Sequence, residues 1–216
     1  MSIIVFGGEK GGTGKTTLAT NIAAMLATNG KDVLLLDTDK QGTASFWATV
    51  REEDGVEPRV ACVQKFDKGL PAQVRDLAER YDEIIIDAGG RDSMELRYAL
   101  GVAERVYVPL QPFQFDIWTI RQMDKLIGMA TTVNLNLEAF IVINRASTNP
   151  AIKEDRETRD YILKENFGYM SLTRAIIRDR ISFRKAARDG ISVQEWGQDK
   201  KAITEMNLLY EEIYHG

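Results

Sequence analysis

The sequence has very few of the residues from which many enzymes and secreted domains build their sites. Its 216 residues include one cysteine, Cys62, and one histidine, His215, near the end of the chain. One cysteine excludes a disulfide or a cysteine-based metal site within the chain. One histidine in that position cannot anchor a buried triad, which excludes most zinc hydrolases and most Ser–His or Cys–His enzymes.

Long apolar runs and a surplus of positive charge are also missing. No segment approaches the roughly 20 apolar residues that span a bilayer, and the first residues lack the basic region and cleavage site of a signal peptide. The formal net charge is −4, so no overall positive field attracts nucleic acid. We therefore expect a cytoplasmic protein in which any contact with DNA depends on a local basic patch.

The rest of the composition is that of an ordinary globular chain. Hydrophobic residues make up 44% of the sequence and charged residues 28%, which argues against disorder. The length fits one domain of the usual size, and no repeat, low-complexity tract or linker divides the chain. We expect residues 1–216 to form a single domain.

Short apolar runs rich in Val and Ile alternate with segments of helical period. Runs that are continuous rather than alternating are typical of strands buried on both faces of a parallel sheet. Strands that alternate with helices predict an α/β fold, a doubly wound and mainly parallel sheet with helices on both faces. The predicted strands are Ile3–Phe6, Val33–Leu36, Ile84–Ile86, Val106–Leu110 and Phe140–Ile143. The predicted helices are Lys15–Thr28, Pro71–Glu79, Ser93–Ala99, Phe115–Met129 and Asp199–Tyr214.

Residues 7–17 read GGEKGGTGKTT and separate the first predicted strand from the first predicted helix, as a phosphate-binding loop (P-loop) does. Glycines let backbone N–H groups turn toward an anion, and the following helix N-terminus adds partial positive charge. We expect Lys15 to reach the β- and γ-phosphates, Thr16 to complete a Mg²⁺ shell and Thr17 to bind a phosphate oxygen. A glycine-rich turn without a ligand is the alternative.

The loop departs from the general G-x-x-x-x-G-K-[ST] pattern, because Glu9 stands where that pattern has its first glycine and a second lysine, Lys10, follows it. The segment KGGTGKT, residues 10–16, resembles at every fixed position the K-G-G-x-G-K-[ST] loop of the ParA/MinD family of ATPases. The resemblance implies the P-loop NTPase fold, ATP and Mg²⁺ as ligands, and hydrolysis that is weak unless stimulated. It places the nucleotide against Glu9, Lys10, Gly11, Gly12, Thr13, Gly14, Lys15, Thr16 and Thr17.

The second lysine has a particular meaning in that family. There it contacts the nucleotide of the partner subunit, so the resemblance implies an ATP-dependent homodimer and a catalytic role for Lys10 beside Lys15. Cations from both subunits would offset the repulsion of a triphosphate held between them. A solvated loop lysine is the alternative.

Two aspartates follow the second predicted strand in LLLDTDKQG, residues 34–42. The carboxyl ends of parallel strands face the ligand crevice, and Asp37 and Asp39, two apart, share one side of an extended chain. The segment resembles the family's D-x-D-P-Q-G signature, with Lys40 in place of proline. The resemblance implies that Asp39 is catalytic, orienting or activating the attacking water, and that Asp37 lies near the Mg²⁺ shell. Roles as helix N-cap or turn residues are the alternative.

The third predicted strand ends at Asp87 in DEIIIDAGG, residues 82–90, and resembles a Walker B strand. We expect Asp87 to hold Mg²⁺ through water. The family often continues with x-P-P where this chain has Gly89-Gly90, which leaves the γ-phosphate-sensing role of this loop open. Near the end of the fifth strand, the family often uses an asparagine to contact adenine, which makes Asn144 a candidate. A simple strand-terminating turn is the alternative there.

Between Ser171 and Gly190 the chain carries six basic residues and two aspartates, a local charge of +4. Such an asymmetry predicts a phosphate-binding patch. The family resemblance implies DNA binding without sequence preference, restricted to the ATP-bound dimer. A solvated helix face with intrahelical ion pairs is the alternative. The candidate DNA-binding residues are Arg174, Arg178, Arg180, Arg184, Lys185 and Arg188.

The last predicted helix has an apolar stripe at helical spacing but carries glutamates late in its sequence. Anionic lipid would repel such a helix, so we expect it to pack on the protein's own core and expect no membrane contact. We also interpret Trp118 and Trp196 as packing residues. The stripe consists of Ala202, Met206, Leu209 and Ile213.

Together with these patterns, the family resemblance implies a ParA-like ATPase associated with the nucleoid. It would dimerise on ATP, bind nonspecific DNA and drive plasmid or chromosome partition through a ParB-like or unrelated centromere-binding adaptor. One alternative is ATP-switched positioning of a protein assembly on the nucleoid. Another is a metabolic P-loop ATP-dependent ligase, for which the sequence offers no distinct substrate motif.

Overall fold

The computed structural model describes residues 1–66, 68–90, 93–112 and 117–215, with only the backbone described at 117 and 118. In these ranges, seven strands form one parallel sheet in the order β3-β2-β4-β1-β5-β6-β7. The strands are β1 Ser2–Phe6, β2 Val33–Asp37, β3 Ala61–Gln64, β4 Glu83–Asp87, β5 Arg105–Leu110, β6 Glu138–Ala146 and β7 Ser171–Arg178. The described helices are α1 Lys15–Thr28, α2 Thr43–Glu53, α3 Leu70–Ala78, α4 Met94–Leu100, α5 Ile117–Ala130, α6 Glu154–Glu165, α7 Ile181–Arg188, α8 Val193–Trp196 and α9 Lys200–Tyr214.

Alternate residues of each central strand enter two separate cores. In β1, Ile4 and Phe6 pack with α1, α2, α7, α8 and α9, whereas Ile3 and Val5 pack with α3, α4, α5 and α6. Both sets are buried because a strand's side chains point alternately to the two faces of its sheet. The predicted α/β fold with a parallel sheet between two helical layers is confirmed.

The two edge strands, β3 and β7, were not predicted from the sequence. In β7 the buried residues Thr173, Ala175 and Ile177 alternate with more exposed ones, the period of a strand covered on one face. The segment rich in basic residues, 171–190 (the basic segment), therefore starts as a strand and not as the helix face considered above. It then continues into α7. The helices α2, α6, α7 and α8 also lie outside the predicted set.

The structure also shows where the apolar stripe of α9 and Trp196 lie. The four residues of the α9 stripe are completely buried in the core, as predicted. Trp196 is half-buried and packs against the same core, whereas the start of the predicted helix at Phe115 and the Trp118 side chain lie outside the described residues. Within the described part of the chain, no helix combines the length and hydropathy needed to cross a membrane.

The sheet order brings several loops to one edge. From β1 the chain crosses to β2 on one side, and after β4 it crosses to β5 on the other side of β1. Ligands of open α/β sheets bind at such a reversal, outside the carboxyl ends of the strands. The loops that follow β1, β2 and β4 all leave the sheet there.

Candidate nucleotide-binding site

The P-loop joins β1 to α1 in a conformation that needs glycine. Gly12 and Gly14 have φ values of 76° and 94°, in the left-handed region. A Cβ at Gly14 would lie 2.3 Å from Nδ2 of Asn144, so a side chain there is excluded by contact as well. The N-cap residue of α1 is Gly14, which has no side chain to cap the helix, and this leaves the first amides of α1 oriented for an anion.

The Lys15 side chain is held inside the loop. Its Nζ donates a hydrogen bond of 2.9 Å to the carbonyl oxygen of Lys10. Burial lowers the pKa of Lys15, and the carboxylates of Asp87 and Asp39 oppose this shift. The cation is therefore held by a backbone acceptor and attracted by two acidic side chains.

Asp87 contacts Thr16 at the end of β4. The Thr16 hydroxyl donates to Oδ2 of Asp87 over 2.6 Å, and Oδ1 of Asp87 is buried with no hydrogen-bond partner among the described residues. Burial raises the pKa of Asp87 to about 7. A divalent cation would satisfy this carboxylate, and one carboxylate with a hydroxyl, water and phosphate oxygens is a usual Mg²⁺ environment. No cluster of three or more His, Cys, Asp or Glu suited to a metal occurs in the described residues. Thr16 and Asp87 therefore fit Mg²⁺ only together with the phosphates of a bound nucleotide.

Asp37 is completely buried, and both of its carboxylate oxygens accept hydrogen bonds from the protein. Oδ1 accepts from the backbone N–H of Asp39 at 3.0 Å. Oδ2 accepts from the Ser45 backbone N–H at 2.9 Å and from its hydroxyl at 3.0 Å. Asp37 thus binds the first turn of α2, although the N-cap residue of this helix is Gly42. It also binds the loop after β2. Its place near Mg²⁺ stays a prediction.

Asp39 lies at the rim of the same site. Its Oδ1 accepts a hydrogen bond of 3.0 Å from the backbone N–H of Gln41, which forms a tight local turn. The side chain is half-buried, and Gly89 of the loop after β4 packs against its backbone. The carboxylate is held in a defined position, while its catalytic role stays a prediction.

A cavity of about 910 Å³ opens over the P-loop and extends toward β6, β7 and α7. Asp39 and every residue predicted to bind the nucleotide line it, except Thr13, which is buried in the loop. Sequence reasoning missed several lining residues, which lie in the last residues of β6 and β7, in the loops after β2, β4 and β7, or in the first turns of α2 and α7. These are Gln41, Thr43, Gly90, Arg145, Ile177, Asp179 and Phe183.

Asn144 reaches this cavity from β6. Its side chain is buried, and its Nδ2 donates a hydrogen bond of 2.6 Å to the carbonyl oxygen of Thr13. The amide therefore supports the P-loop directly. Its predicted contact with adenine stays a prediction.

Three of the six predicted DNA-binding residues line the cavity, and the other three, Arg174, Lys185 and Arg188, do not. Arg178, Arg180 and Arg184 line the cavity of the P-loop, whereas Lys185 lies over the ring of Trp196, 5.6 Å from its centre. Within the described part of the chain, four of the six form ion pairs, and three of the acidic partners come from α6 and α9. The pairs and their N–O distances are Arg174–Glu212 (2.8 Å), Arg178–Asp155 (3.0 Å), Arg180–Glu205 (2.6 Å) and Arg188–Asp189 (2.7 Å). The charge of +4 counted along the chain is largely offset in space, and DNA contact stays a prediction.

The fold and this site define the class of the protein. A glycine-rich loop between the central strand and its helix, with Lys15 inside it and Thr16 bound to Asp87, is the arrangement of a P-loop nucleotide-binding protein. The chain belongs to the CbiA family, described as the CobQ/CobB/MinD/ParA nucleotide binding domain, which matches residues 4–193. The predicted membership of the ParA/MinD group is confirmed.

Individual relatives extend this assignment. The chain is 30% identical over 209 residues to the maintenance of carboxysome distribution protein A of Halothiobacillus neapolitanus, covering 94% of this chain and 92% of that one. It is 37% identical over 134 residues to the chromosome-partitioning ATPase Soj of Thermus thermophilus, covering 50% and 54%. The apo structure of Cyanothece McdA superposes with a TM-score of 0.81 at 16% identity, covering 99% of each chain.

Proposed function

We propose that this chain is a Mg²⁺-dependent ATPase that dimerises on ATP, binds nonspecific DNA and partitions a plasmid or chromosome through a centromere-binding adaptor. The observation that carries the proposal is the convergence on one cavity of the P-loop and Asp39, with Asp87 bound to Thr16. Loop, metal-holding carboxylate and water-orienting carboxylate are the parts that phosphoryl transfer to water requires. The relationship to the Soj chromosome-partitioning ATPase supports the choice of cargo.

The residues of the site divide the work of hydrolysis. Lys15 and the first amides of α1 bind the β- and γ-phosphates, and Thr16 and Asp87 hold Mg²⁺. When bound, Mg²⁺ neutralises charge on those phosphates. Asp39 orients the water that attacks the γ-phosphorus, and this attack releases ADP and phosphate. Asp37 keeps Asp39 in place by accepting a hydrogen bond from the backbone N–H of Asp39.

Lys10 connects nucleotide binding to assembly. It lines the cavity at the mouth of the loop, where a second copy of the chain would face it. In our proposal Lys10 reaches the nucleotide of the partner subunit, so that ATP holds two copies together and ADP releases them. Two copies then present two basic segments on one body, which raises avidity for DNA without new contacts in either subunit.

A second candidate function differs only in its cargo. The similarity to a carboxysome distribution protein extends over nearly the whole of both chains. This observation favours an ATP-switched dimer that positions a protein assembly on the nucleoid instead of a DNA molecule. The nucleotide switch and the DNA contact would be the same in both cases.

The proposal is tested by the ATP affinity and the hydrolysis rate of two variants. We expect Asp39→Ala to bind ATP with the parental affinity and to lose turnover, since the loop and the metal-holding residues remain. Lys15→Ala should lose ATP binding itself, measured by calorimetry. Asp76→Ala and Lys31→Ala, at exposed positions outside the cavity, are the matched controls. Parental turnover in Asp39→Ala would overturn the catalytic assignment, and tight ATP binding by Lys15→Ala would overturn the phosphate site.

A further inference from the structure

Two consecutive carbonyl oxygens of the P-loop are held by side chains from the carboxyl ends of β5 and β6. The Gly12 oxygen accepts hydrogen bonds from Nε2 of Gln111 and from Nη1 of Arg145, the latter at 2.9 Å. The next oxygen, of Thr13, accepts from Asn144 at 2.6 Å. A carbonyl oxygen has two lone pairs, so the Gln111 and Arg145 donors saturate Gly12.

The direction of a carbonyl determines the direction of the following amide. A trans peptide is planar, and its C=O and N–H point to opposite sides. Holding the Gly12 oxygen toward β5 and β6 therefore turns the Thr13 N–H away from these strands, and holding the Thr13 oxygen does the same for the Gly14 N–H. Both amides belong to the loop that wraps the anion, so these hydrogen bonds preorganise its donors.

Each of the two residues that hold Gly12 has a local feature that costs folding stability. Gln111 is 2% exposed, and its Oε1 is buried without a hydrogen-bond partner in the described part of the chain. An unpaired buried amide oxygen destabilises a fold. Arg145 has a φ of 55°, in the left-handed region that side chains disfavour. Backbone strain of this kind collects at functional sites, where the surrounding structure maintains it.

We propose that Gln111 is a positioning residue for nucleotide binding, acting with Arg145 through the Gly12 carbonyl. Gln111 does not line the cavity and acts only by orienting the Thr13 amide toward the nucleotide diphosphate. Arg145 does line the cavity and also pairs with Asp179 at 3.7 Å, so its variants would mix positioning with direct contact. Gln111 is therefore the cleaner probe. The inference rests on the proposed function, because it takes the anion of the loop to be a nucleotide phosphate.

The test replaces the donor of Gln111 without changing its shape. Gln111→Glu places a carboxylate oxygen where Nε2 now donates, and we expect the ADP affinity measured by calorimetry to fall about tenfold. In steady-state hydrolysis the KM for ATP should rise while kcat at saturation changes less than twofold, because ground state and transition state lose the same interaction. Gln73→Glu is the matched control, since its amide oxygen is also buried without a described partner but lies on α3, outside the cavity.

The outcomes separate this inference from the proposed function. If the parent protein binds neither ADP nor ATP, the proposed function fails and the inference fails with it. If the parent binds and Gln111→Glu binds equally well, or Gln73→Glu weakens binding as much, only the positioning role is overturned. Should circular dichroism show that Gln111→Glu does not fold, Gln111→Met removes the donor at similar volume. It should then lower ADP affinity about fivefold, and unchanged affinity would overturn the role of Gln111.

Discussion

At the scale of single residues, the buried carboxylate of Asp87 serves the site but lowers the folding stability. It is 1% exposed, and burial raises its pKa from 3.8 to about 7. A carboxyl group whose pKa is higher in the folded than in the unfolded state binds more protons when folded. Folding stability therefore falls as the pH rises from about 4 to about 7, by an amount on the order of 4 kcal/mol. The charged form that weakens the fold is the one that holds a cation.

We expect Asp87→Asn to raise the free energy of unfolding of the nucleotide-free protein at pH 8 by about 1–3 kcal/mol, because a buried charge is replaced by a neutral group. The gain should shrink at pH 5, where the parent side chain is protonated when folded, and ATP hydrolysis should be lost. Urea denaturation at both pH values measures the stabilities. Asp76→Asn, at an exposed position on α3, is the control, and equal stabilities of parent and Asp87→Asn at pH 8 would contradict the argument.

At the scale of elements, hydrogen bonds and an ion pair hold α2 at both of its ends. Its first turn is held by Asp37, and its last turn carries Arg51, which is 1% exposed. Arg51 pairs with Glu195 at 2.7 Å and donates to the Gly190 carbonyl oxygen at 3.1 Å, at the end of α7. Gly190 has a φ of 63°, and a Cβ there would lie 2.5 Å from the backbone nitrogen of Arg51. The close packing of α2 on α7 thus depends on this glycine.

Gly55 and Gly190 have the same φ but different surroundings, so a comparison of the two separates backbone strain from steric contact. Gly55 also has a φ of 63°, but a Cβ there would meet nothing within 4 Å. We expect Gly55→Ala to cost about 1–2 kcal/mol, from the left-handed conformation alone. Gly190→Ala should cost about 3 kcal/mol or more, because the clash with the α2 backbone adds to that strain. Equilibrium unfolding in urea compares the two, and equal losses would show that the contact has no energetic weight.

At the scale of the whole molecule, the proposed switch needs two copies of the chain. Lys10→Ala should bind ATP but remain a monomer, because the cation that crosses to the partner nucleotide is missing. Light scattering with a nonhydrolysable ATP analogue measures the mass in solution. Lys31→Ala, on the exposed turn after α1, should dimerise like the parent. A dimer of undiminished stability in Lys10→Ala would make this residue an ordinary loop lysine.

The distribution of charge over the molecule makes DNA binding testable apart from nucleotide binding. Lys185 and Arg188 are exposed on α7 and do not line the cavity, unlike Arg184. We expect Lys185→Glu combined with Arg188→Glu to abolish DNA retention by the ATP-bound protein and to leave ATP affinity unchanged. The parent's retention should weaken steeply with salt, because each neutralised phosphate releases counterions.

The matched control for this charge reversal is Lys31→Glu combined with Arg59→Glu, two exposed positions outside the basic segment. Filter binding at several salt concentrations, with ATP and with ADP, compares the three proteins. Parental retention by the α7 variant would leave the basic segment as a solvated surface. We would then expect the ATP-bound dimer to bind a protein target instead of nucleoid DNA.

The inner sheet and the main chemical groups were determined by the sequence alone. The strands β1, β2 and β4 are buried on both faces, so their continuous apolar runs were recognisable without any knowledge of their neighbours. The P-loop and the aspartates that follow β2 and β4 were equally visible, since parallel strands bring their carboxyl ends to one edge. The edge strands β3 and β7 escaped this reasoning because each is short or covered on one face only.

Only the tertiary structure decided which partners these groups have. The oxygens of Asp37 are used by the loop and by α2, and Arg174 meets Glu212, 38 residues further along the chain. Gln111 bonds to Gly12 across 99 residues of sequence. Patterns along a sequence report local period and burial, whereas a hydrogen bond or an ion pair depends on which distant segments the fold brings within about 3 Å. That distance is a property of packing, and no local pattern contains it.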